Sequence, residues 1–160
     1  MNELSEIATK WGANGQIELI AERENAVYKI LRDGPPMALR LHRAGYQSEA
    51  AILSELRWTL RLAEAGFACP KPLAQADGSL LAKLADGRFV SVITWVEGAP
   101  IGAMDTPIGT DVTAHCDLYH QLGHLLAQLH EPSDRIKTDE PTPPAWEPPG
   151  PPGKTPPLGR

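Results

Sequence analysis

The sequence is poor in cysteine, which excludes a fold held together by disulfide bonds. Only Cys69 and Cys116 occur in 160 residues, whereas small disulfide-stapled domains carry several cysteine pairs. We therefore interpret both side chains as reduced thiols, which is typical of a protein that works in the cytoplasm.

Long apolar runs and a surplus of basic residues are also missing. No segment approaches the ~20 consecutive apolar residues that span a bilayer. The N-terminus has neither a basic region nor an apolar stretch, so we predict no signal peptide. A net charge of −5 and a pI near 5.5 argue against a nucleic-acid partner, which requires a basic surface. We predict a cytoplasmic protein with no membrane and no nucleic-acid partner.

The chain does contain enough apolar residues for one folded domain, followed by a region rich in proline. Hydrophobic residues make up 42% of the sequence. Residues 141–157 hold nine of the 16 prolines and almost no aliphatic side chain. Such a segment cannot bury enough apolar surface to offset the entropy lost on ordering. We predict a disordered or polyproline-like tail over residues 132–160.

The first half of the sequence shows the periodicities of short strands and helices. Helical spacing of apolar residues predicts a helix over residues 4–11 and a longer one over residues 46–65, with Ser48 as an N-cap near its start and Gly66 as its C-cap. Period-two alternation predicts three strands joined by tight turns between these helices. The strands cover residues 16–23, 26–32 and 37–43.

The second half predicts more strands and one further helix. Short apolar runs separated by Asp-Gly turns indicate an antiparallel meander, with strands over residues 73–76, 80–85 and 88–96. Leucine recurs at helical spacing over residues 114–130, which predicts an amphipathic helix. The predicted fold class is α+β: an antiparallel sheet with one long packed helix, followed by a C-terminal helix and the tail.

Four motifs, taken in order, resemble the N-terminal lobe of a known enzyme family. Glu-Asn-x-Val-Tyr stands at 24–28, Leu-Arg-Leu-His-Arg at 39–43, a helix over 52–66 leads to Pro70, and Trp-Val-Glu-Gly stands at 95–98. This series is similar to the aminoglycoside phosphotransferase, choline kinase and type II homoserine kinase family. The likeness is strongest to the bacterial stress-response kinase branch of that family.

The resemblance implies a division of the chain into three parts. Residues 1–98 correspond to a kinase-like N-lobe, and residues 99–131 to a linker and the first helix of a second lobe. Segment 122–130 resembles that first helix. Residues 132–160 form the proline-rich tail.

The resemblance also places Arg40 where the family commonly has a phosphate-binding lysine. Phosphoryl transfer requires the charge of the phosphates to be held and neutralised, which a cation on the third strand can do. A carboxylate on the next helix should hold that cation in position. Alignment back from Pro70 selects Glu55. The helical wheel leaves Glu49 open, because a carboxylate inside an apolar stripe needs a partner. The alternative is that all three are ordinary surface residues.

By the same match, the nucleotide base lies against the strand over residues 90–96. Ile93 is expected to line the back of an adenine pocket, while the backbone of Thr94 and Val96 offers an acceptor and a donor to the base. Asn25 is expected to shape the turn on the phosphate side. A plain buried strand and an ordinary turn remain alternatives, because backbone groups leave no residue signature.

The family's catalytic base and metal ligands are expected beyond residue 130, and the chain contains no His-Gly-Asp sequence. We therefore predict no catalytic residue and no metal ligand here, although ATP and Mg²⁺ are the cofactors expected for a complete enzyme. His120 and His124 share a helix face, but no third ligand accompanies them. We expect a truncated chain, for example a frameshift product. We also expect it to be inactive alone, because positioning and metal electrostatics supply most of this catalysis.

The sequence thus predicts the nucleotide-binding half of an ATP-dependent phosphotransferase. Its acceptor would be an alcohol group on a small molecule or on a protein serine or threonine. The alternatives are a non-enzymatic remnant or interaction module with a proline-rich arm, and an unrelated α+β binding domain. We also expect the helix over 114–130 to self-associate through an exposed apolar stripe. That stripe comprises Leu118, Leu122, Leu125 and Leu129.

Overall fold

Helices and strands follow one another in the predicted order, with one strand fewer among the described residues. The computed structural model describes residues 3–98 and 112–135. Helix α1 covers Glu3–Ala8 and continues as a 3₁₀ turn over Thr9–Trp11. The other elements are β1 (Ala13–Glu22), β2 (Ala26–Arg32), β3 (Met37–Leu41), α2 (Glu49–Glu64), β4 (Leu81–Lys83), β5 (Phe89–Thr94) and α3 (Val112–Arg135).

Cap residues explain where α2 begins and ends. The Ser48 side chain accepts a hydrogen bond of 3.2 Å from a backbone N–H in the first turn. The helix therefore starts at Glu49, three residues after the predicted start at Tyr46. At the other end, Gly66 has a φ of +90° and donates its N–H to the Ala63 carbonyl oxygen at 3.1 Å. Both predicted cap residues act at the ends of this helix.

The five strands of the described residues form one antiparallel sheet in the order β1-β2-β3-β5-β4. Strands β4 and β5 form an antiparallel hairpin as the meander predicts, while α2 makes the crossover from β3 to β4, because β5 lies between those two strands. The predicted strand over 73–76 is wrong. Pro72, just before it, forms one isolated bridge with Ile93, and Gln75 then bonds Ser79 within a turn.

One face of the sheet carries the apolar core. Residues that pair across strands point to the same face, so Ile30, Met37 and Leu39 lie beside Val90 and Val92 there. All five side chains are fully buried. Helix α1 and the following turn cover this face with Leu4, Ile7, Ala8 and Trp11.

The opposite face of the sheet carries polar side chains and is covered by α2. Arg40 alternates with the core residues Leu39 and Leu41 and therefore points to this second face. The contact between Arg40 and Glu55 places α2 on the same side. The fold class is thus the predicted one: an antiparallel sheet with one long packed helix.

Helix α3 is longer than predicted at its C-terminal end. It continues past the predicted end at His130 to Arg135 and includes Pro132. Proline lacks a backbone N–H, and next to it the Ser133 hydroxyl donates a hydrogen bond to the Leu129 carbonyl oxygen at 2.7 Å. Residues 136–160 lie outside the described residues, and they include most of the predicted tail with its proline-rich segment over 141–157.

Candidate functional site

An ion pair joins the third strand to the long helix. Arg40 Nη1 lies 2.9 Å from Glu55 Oε1, which is both a hydrogen bond and a salt bridge. The two side chains remain 25% and 38% exposed, so a ligand can reach them. A guanidinium has several donors in one plane. One edge of Arg40 can therefore hold Glu55 while other donors stay available to an anion.

The partner of Arg40 is Glu55 rather than Glu49. Because Ser48 caps α2, Glu49 is the first helical residue and is exposed. Six residues separate the two carboxylates, which amounts to roughly 9 Å along the axis and a different side of the helix. The helical wheel that put Glu49 inside the apolar stripe is therefore wrong. Ile52, Leu56 and Leu62 are the helix residues that are buried.

A buried histidine lies next to this ion pair, and sequence reasoning did not select it. His42 follows Arg40 by two residues on the same face, and its Nε2 lies 2.9 Å from Ser91 Oγ. Ser91 is the residue opposite Arg40 in the β3–β5 register. His42 and Ser91 are 2% and 0% exposed. The available signal was the period-two spacing from Arg40, which predicts a shared face.

His42 is held in its neutral form. Burial is the main cause that lowers the pKa of His42 from 6.5 to about 4, and the nearby Arg40 guanidinium lowers it further. The Glu55 carboxylate acts in the opposite direction. His42 Nδ1 is buried without a hydrogen-bond partner in the described part of the chain. At neutral pH, therefore, Arg40 rather than His42 is the cation that faces Glu55.

Asn25 ties the β1–β2 turn to the end of β3. Its side-chain oxygen accepts a hydrogen bond from the Arg43 backbone N–H at 3.2 Å, and its carbonyl oxygen accepts one from the Arg23 N–H at 3.2 Å. The turn is therefore tied to the end of the strand that carries Arg40. The role of Asn25 toward a phosphate stays a prediction.

The three residues predicted to contact the base lie at and after the end of β5. Ile93 is half-buried and pairs with Ala38, which is on the same face as Arg40. Thr94 ends the strand, and its hydroxyl accepts a hydrogen bond from the Lys71 N–H at 2.9 Å. The Lys71 N–H is therefore bonded to the Thr94 hydroxyl and not to the Thr94 carbonyl oxygen. Val96 is exposed. The structure thus brings these residues to the end of one strand, and their contact with a base stays a prediction.

The described residues contain no evident metal site. Within residues 3–98 and 112–135, no group of three His, Cys, Asp or Glu side chains is arranged to hold a metal ion. On α3, His124 Nε2 lies 3.1 Å from the side-chain nitrogen of Gln128. In the same part of the chain, no helix is long and apolar enough to cross a membrane.

Together these features define a class of protein. An antiparallel five-stranded sheet whose third strand carries a cation, paired with a carboxylate on the next helix, is the N-terminal lobe of a kinase-like phosphotransferase. Residues 16–152 match the phosphotransferase enzyme family. The chain belongs to that family, as the motifs in the sequence indicated.

Relatives of known activity share this region of the chain. The amicoumacin kinase of Bacillus subtilis (strain 168) is 26% identical over 140 residues, which is 86% of this chain and 40% of that kinase. The homoserine kinase of Sinorhizobium fredii is 39% identical over 70 residues, which is 44% of this chain and 18% of that enzyme. The chain therefore spans well under half the length of these relatives.

Solved structures agree on the fold. An amicoumacin kinase in complex with AMP-PNP, Ca²⁺ and Ami superposes with a TM-score of 0.68 at 19% identity, over 88% of this chain and 42% of that one. A microcompartment-associated aminopropanol kinase superposes with a TM-score of 0.54 at 27% identity, over 61% of this chain and 32% of that one. The kinase-like fold of the described lobe is thus shared with enzymes of several substrates.

Proposed function

We propose that this chain is the nucleotide-binding part of an ATP-dependent phosphotransferase whose acceptor is an alcohol group. The observation that carries the proposal is the Arg40–Glu55 ion pair of 2.9 Å on the polar face of the sheet. Membership of the phosphotransferase family supports the reaction class. Homoserine and aminopropanol, the compounds in the names of two relatives, both carry a hydroxyl group, which supports the acceptor class.

Arg40 would hold the phosphates of the nucleotide, and Glu55 would fix the direction of its guanidinium. A partly exposed ion pair stabilises a fold by only about 0–1 kcal/mol, because water screens it. The pair therefore contributes more by positioning a charge than by stabilising the lobe. Because the guanidinium is a planar fork, Arg40 can bond a phosphate oxygen and Glu55 at the same time.

The base would lie under Ala38, against the segment that follows β5. Ile93 would form the back wall, and the backbone of Thr94 and Val96 would bond the edge of the base. The hydrogen bond from the Lys71 N–H to the Thr94 hydroxyl supports this assignment, because it leaves the Thr94 carbonyl oxygen for another donor. Asn25, through its bond to the Arg43 N–H, would keep the β1–β2 turn over the phosphates.

ATP with a divalent cation, expected to be Mg²⁺, is the proposed cofactor. AMP-PNP and Ca²⁺ in the amicoumacin kinase structure support a nucleotide and a divalent ion. When bound, the ion neutralises charge on the phosphate oxygens during transfer. The 160-residue sequence contains no His-Gly-Asp. We therefore expect the polypeptide by itself to bind ATP through Arg40, with Glu55 holding the guanidinium, but not to transfer phosphate.

Calorimetric titration with ATP and Mg²⁺ tests the proposal. Arg40→Ala should weaken ATP binding roughly 10- to 100-fold, because it removes a charge-assisted bond to a phosphate. Arg40→Lys should keep most of the affinity, because the charge remains. Arg88→Ala is the matched control, since Arg88 also forms an ion pair, at 2.7 Å to Asp86, in a different turn. No binding by the wild type, or equal losses in Arg40→Ala and Arg88→Ala, would contradict the proposal.

A second candidate function, an interaction module, is supported by the exposed apolar side chains of α3. Val112, Tyr119 and Leu126 are seven residues apart and are 72%, 65% and 55% exposed, so they line one stripe of the helix. This differs from the predicted stripe, of which Leu125 is 44% exposed and the other three leucines are half-buried. We expect the stripe to promote self-association that Leu126→Glu reduces. Light scattering that finds only monomer at every concentration would contradict this.

A further inference from the structure

A second cation lies on the polar face of the sheet, at the end opposite to the phosphates. Lys29 in β2 pairs with Ala38, and Ala38 pairs with Ile93 in β5. Because cross-strand partners share a face, Lys29 points to the same side as Arg40. Val27 is the strand partner of Arg40. Lys29 therefore lies two residues, or roughly 6.6 Å, further along β2, toward the base.

The side chain of Lys29 joins the β1–β2 hairpin to the segment that follows β5. Its Nζ lies 4.4 Å from the centre of the Trp95 ring and 3.9 Å from Glu97 Oε1. The Glu97 side chain is 81% exposed, so water screens the ion pair. The ring face is the stronger partner, because a partly buried cation over an indole is attracted by the ring quadrupole. Lys29 itself is only 28% exposed.

Trp95 separates the two residues whose backbone is proposed to bond the base. It stands between Thr94 and Val96, so any force on its ring acts on that backbone. The indole Nε1 is buried and has no hydrogen-bond partner in the described part of the chain. No hydrogen bond from that indole to the described residues fixes the ring, and the ammonium group of Lys29 lies over its face.

We infer that Lys29 is a positioning residue for the base of the nucleotide, and that it acts by holding Trp95 and thereby the 94–96 backbone beneath the β1–β2 hairpin. The inference rests on the proposed nucleotide site and deepens it. It predicts different roles for the two cations. Arg40 contributes to binding of the phosphates, whereas Lys29 contributes to binding of the base and not of the phosphates.

Three ligands that share parts of ATP separate the two roles. Binding of adenosine, of inorganic tripolyphosphate and of ATP is measured by calorimetry on the full 160-residue chain. Lys29→Met keeps the stem of the side chain and removes the charge. This variant should weaken the binding of adenosine and of ATP by the same factor, roughly 3- to 10-fold, because one cation–π contact is lost. Tripolyphosphate binding should not change. Arg40→Ala should instead weaken the binding of tripolyphosphate and ATP and leave adenosine binding unchanged.

Two further variants make the test specific. Lys29→Arg should restore adenosine binding, because a guanidinium also binds an indole face. Lys83→Met is the matched control, since Lys83 Nζ lies 5.4 Å from the Phe89 ring at the other edge of the sheet. It should change none of the three affinities. Near-wild-type circular dichroism and melting of Lys29→Met would show that the lobe remains folded.

Three other outcomes would contradict the inference. If Lys29→Met weakens tripolyphosphate and ATP but not adenosine, Lys29 is one more phosphate cation and the inference is wrong. If the wild type binds ATP but adenosine binding is unchanged in Lys29→Met, the inference is also wrong, while the proposed function remains intact. A wild type that binds none of the three ligands would remove the proposed function and this inference together.

Discussion

The two faces of the sheet are built from the same strands but differ in composition. Toward α1, the strands present mainly apolar side chains, among them Ile30, Leu39 and Val92, all fully buried. Toward α2, the same strands present Lys29, Arg40 and other polar residues, several of them partly exposed. The comparison indicates that stability is concentrated on the first face. The second face can therefore hold charges in positions that suit a ligand.

Adjacent residues of β2 provide the sharpest test of this comparison, and its largest expected effect. Ile30 points to the core and is 0% exposed, whereas Leu31 points to the other side and is 45% exposed. Ile30→Ala should lower the free energy of unfolding by about 2–5 kcal/mol, because a cavity remains in the core. Leu31→Ala should lower it by less than about 1 kcal/mol. Urea denaturation with unchanged m-values measures both.

Equal losses in the two variants would show that the faces do not differ in stability. If Ile30→Ala does not fold, Ile30→Val is the milder variant. It should cost about 0.5–1.5 kcal/mol, since it removes one methylene group.

The polar face should make stability depend on pH through His42, with a somewhat smaller effect. In the unfolded chain histidine titrates near 6.5, whereas the pKa of His42 in the fold is about 4. Between these values the unfolded state binds more protons. The free energy of unfolding therefore falls as pH falls through this window, by up to roughly 1.4 kcal/mol per pH unit and on the order of 3 kcal/mol in total. Above pH 6.5 this contribution is fully present.

Denaturation between pH 6.5 and 4.5 isolates the effect of His42. Hydrogen bonds from the backbone N–H groups of Ser79 and Arg88 lower the pKa of Asp77 and Asp86 below 3.8, so these groups titrate at lower pH. His42→Leu should remove most of the slope. His120→Gln, which alters an exposed histidine on α3, should leave it unchanged. A slope that survives in His42→Leu would assign the pH dependence to another group.

The smallest change in stability is expected at the ion pair that matters most for the ligand. Arg40→Ala, which should weaken ATP binding strongly, should change the free energy of unfolding by only about 0–1 kcal/mol, because the side chains of Arg40 and Glu55 are both partly exposed to water. A large loss of stability in this variant would mean that the pair supports the fold. The division between the two faces would then not hold.

Much of the local structure could be predicted because it depends on neighbours in the sequence. Strand β2 over Ala26–Arg32 matches its predicted limits, and Ser48 and Gly66 cap α2 as expected. The misplaced limits have local causes as well. The predicted strand over 73–76 failed because Gln75 bonds Ser79 within a turn instead of a neighbouring strand. Such competition between a turn and a ladder leaves little trace in a hydrophobic pattern.

The site could be predicted only as far as the family motifs reach. Those motifs selected Arg40 and Glu55, and the structure brings the two side chains together. They gave no role to His42, although it stands in the motif at 39–43, or to Lys29, which directly follows the motif at 24–28. Each is defined by a partner far away in the sequence, Ser91 for His42 and Trp95 for Lys29.

The sequence by itself determined the order of helices and strands, the caps of α2 and membership of the phosphotransferase family. Periodicity also determined which side chains of a strand share a face. Only the tertiary structure decided that β5 lies beside β3, that Glu55 rather than Glu49 reaches Arg40, and that Lys29 covers Trp95. The physical reason is that a repeat pattern indicates which face will be covered. The element that covers it is chosen by packing between residues distant in the chain.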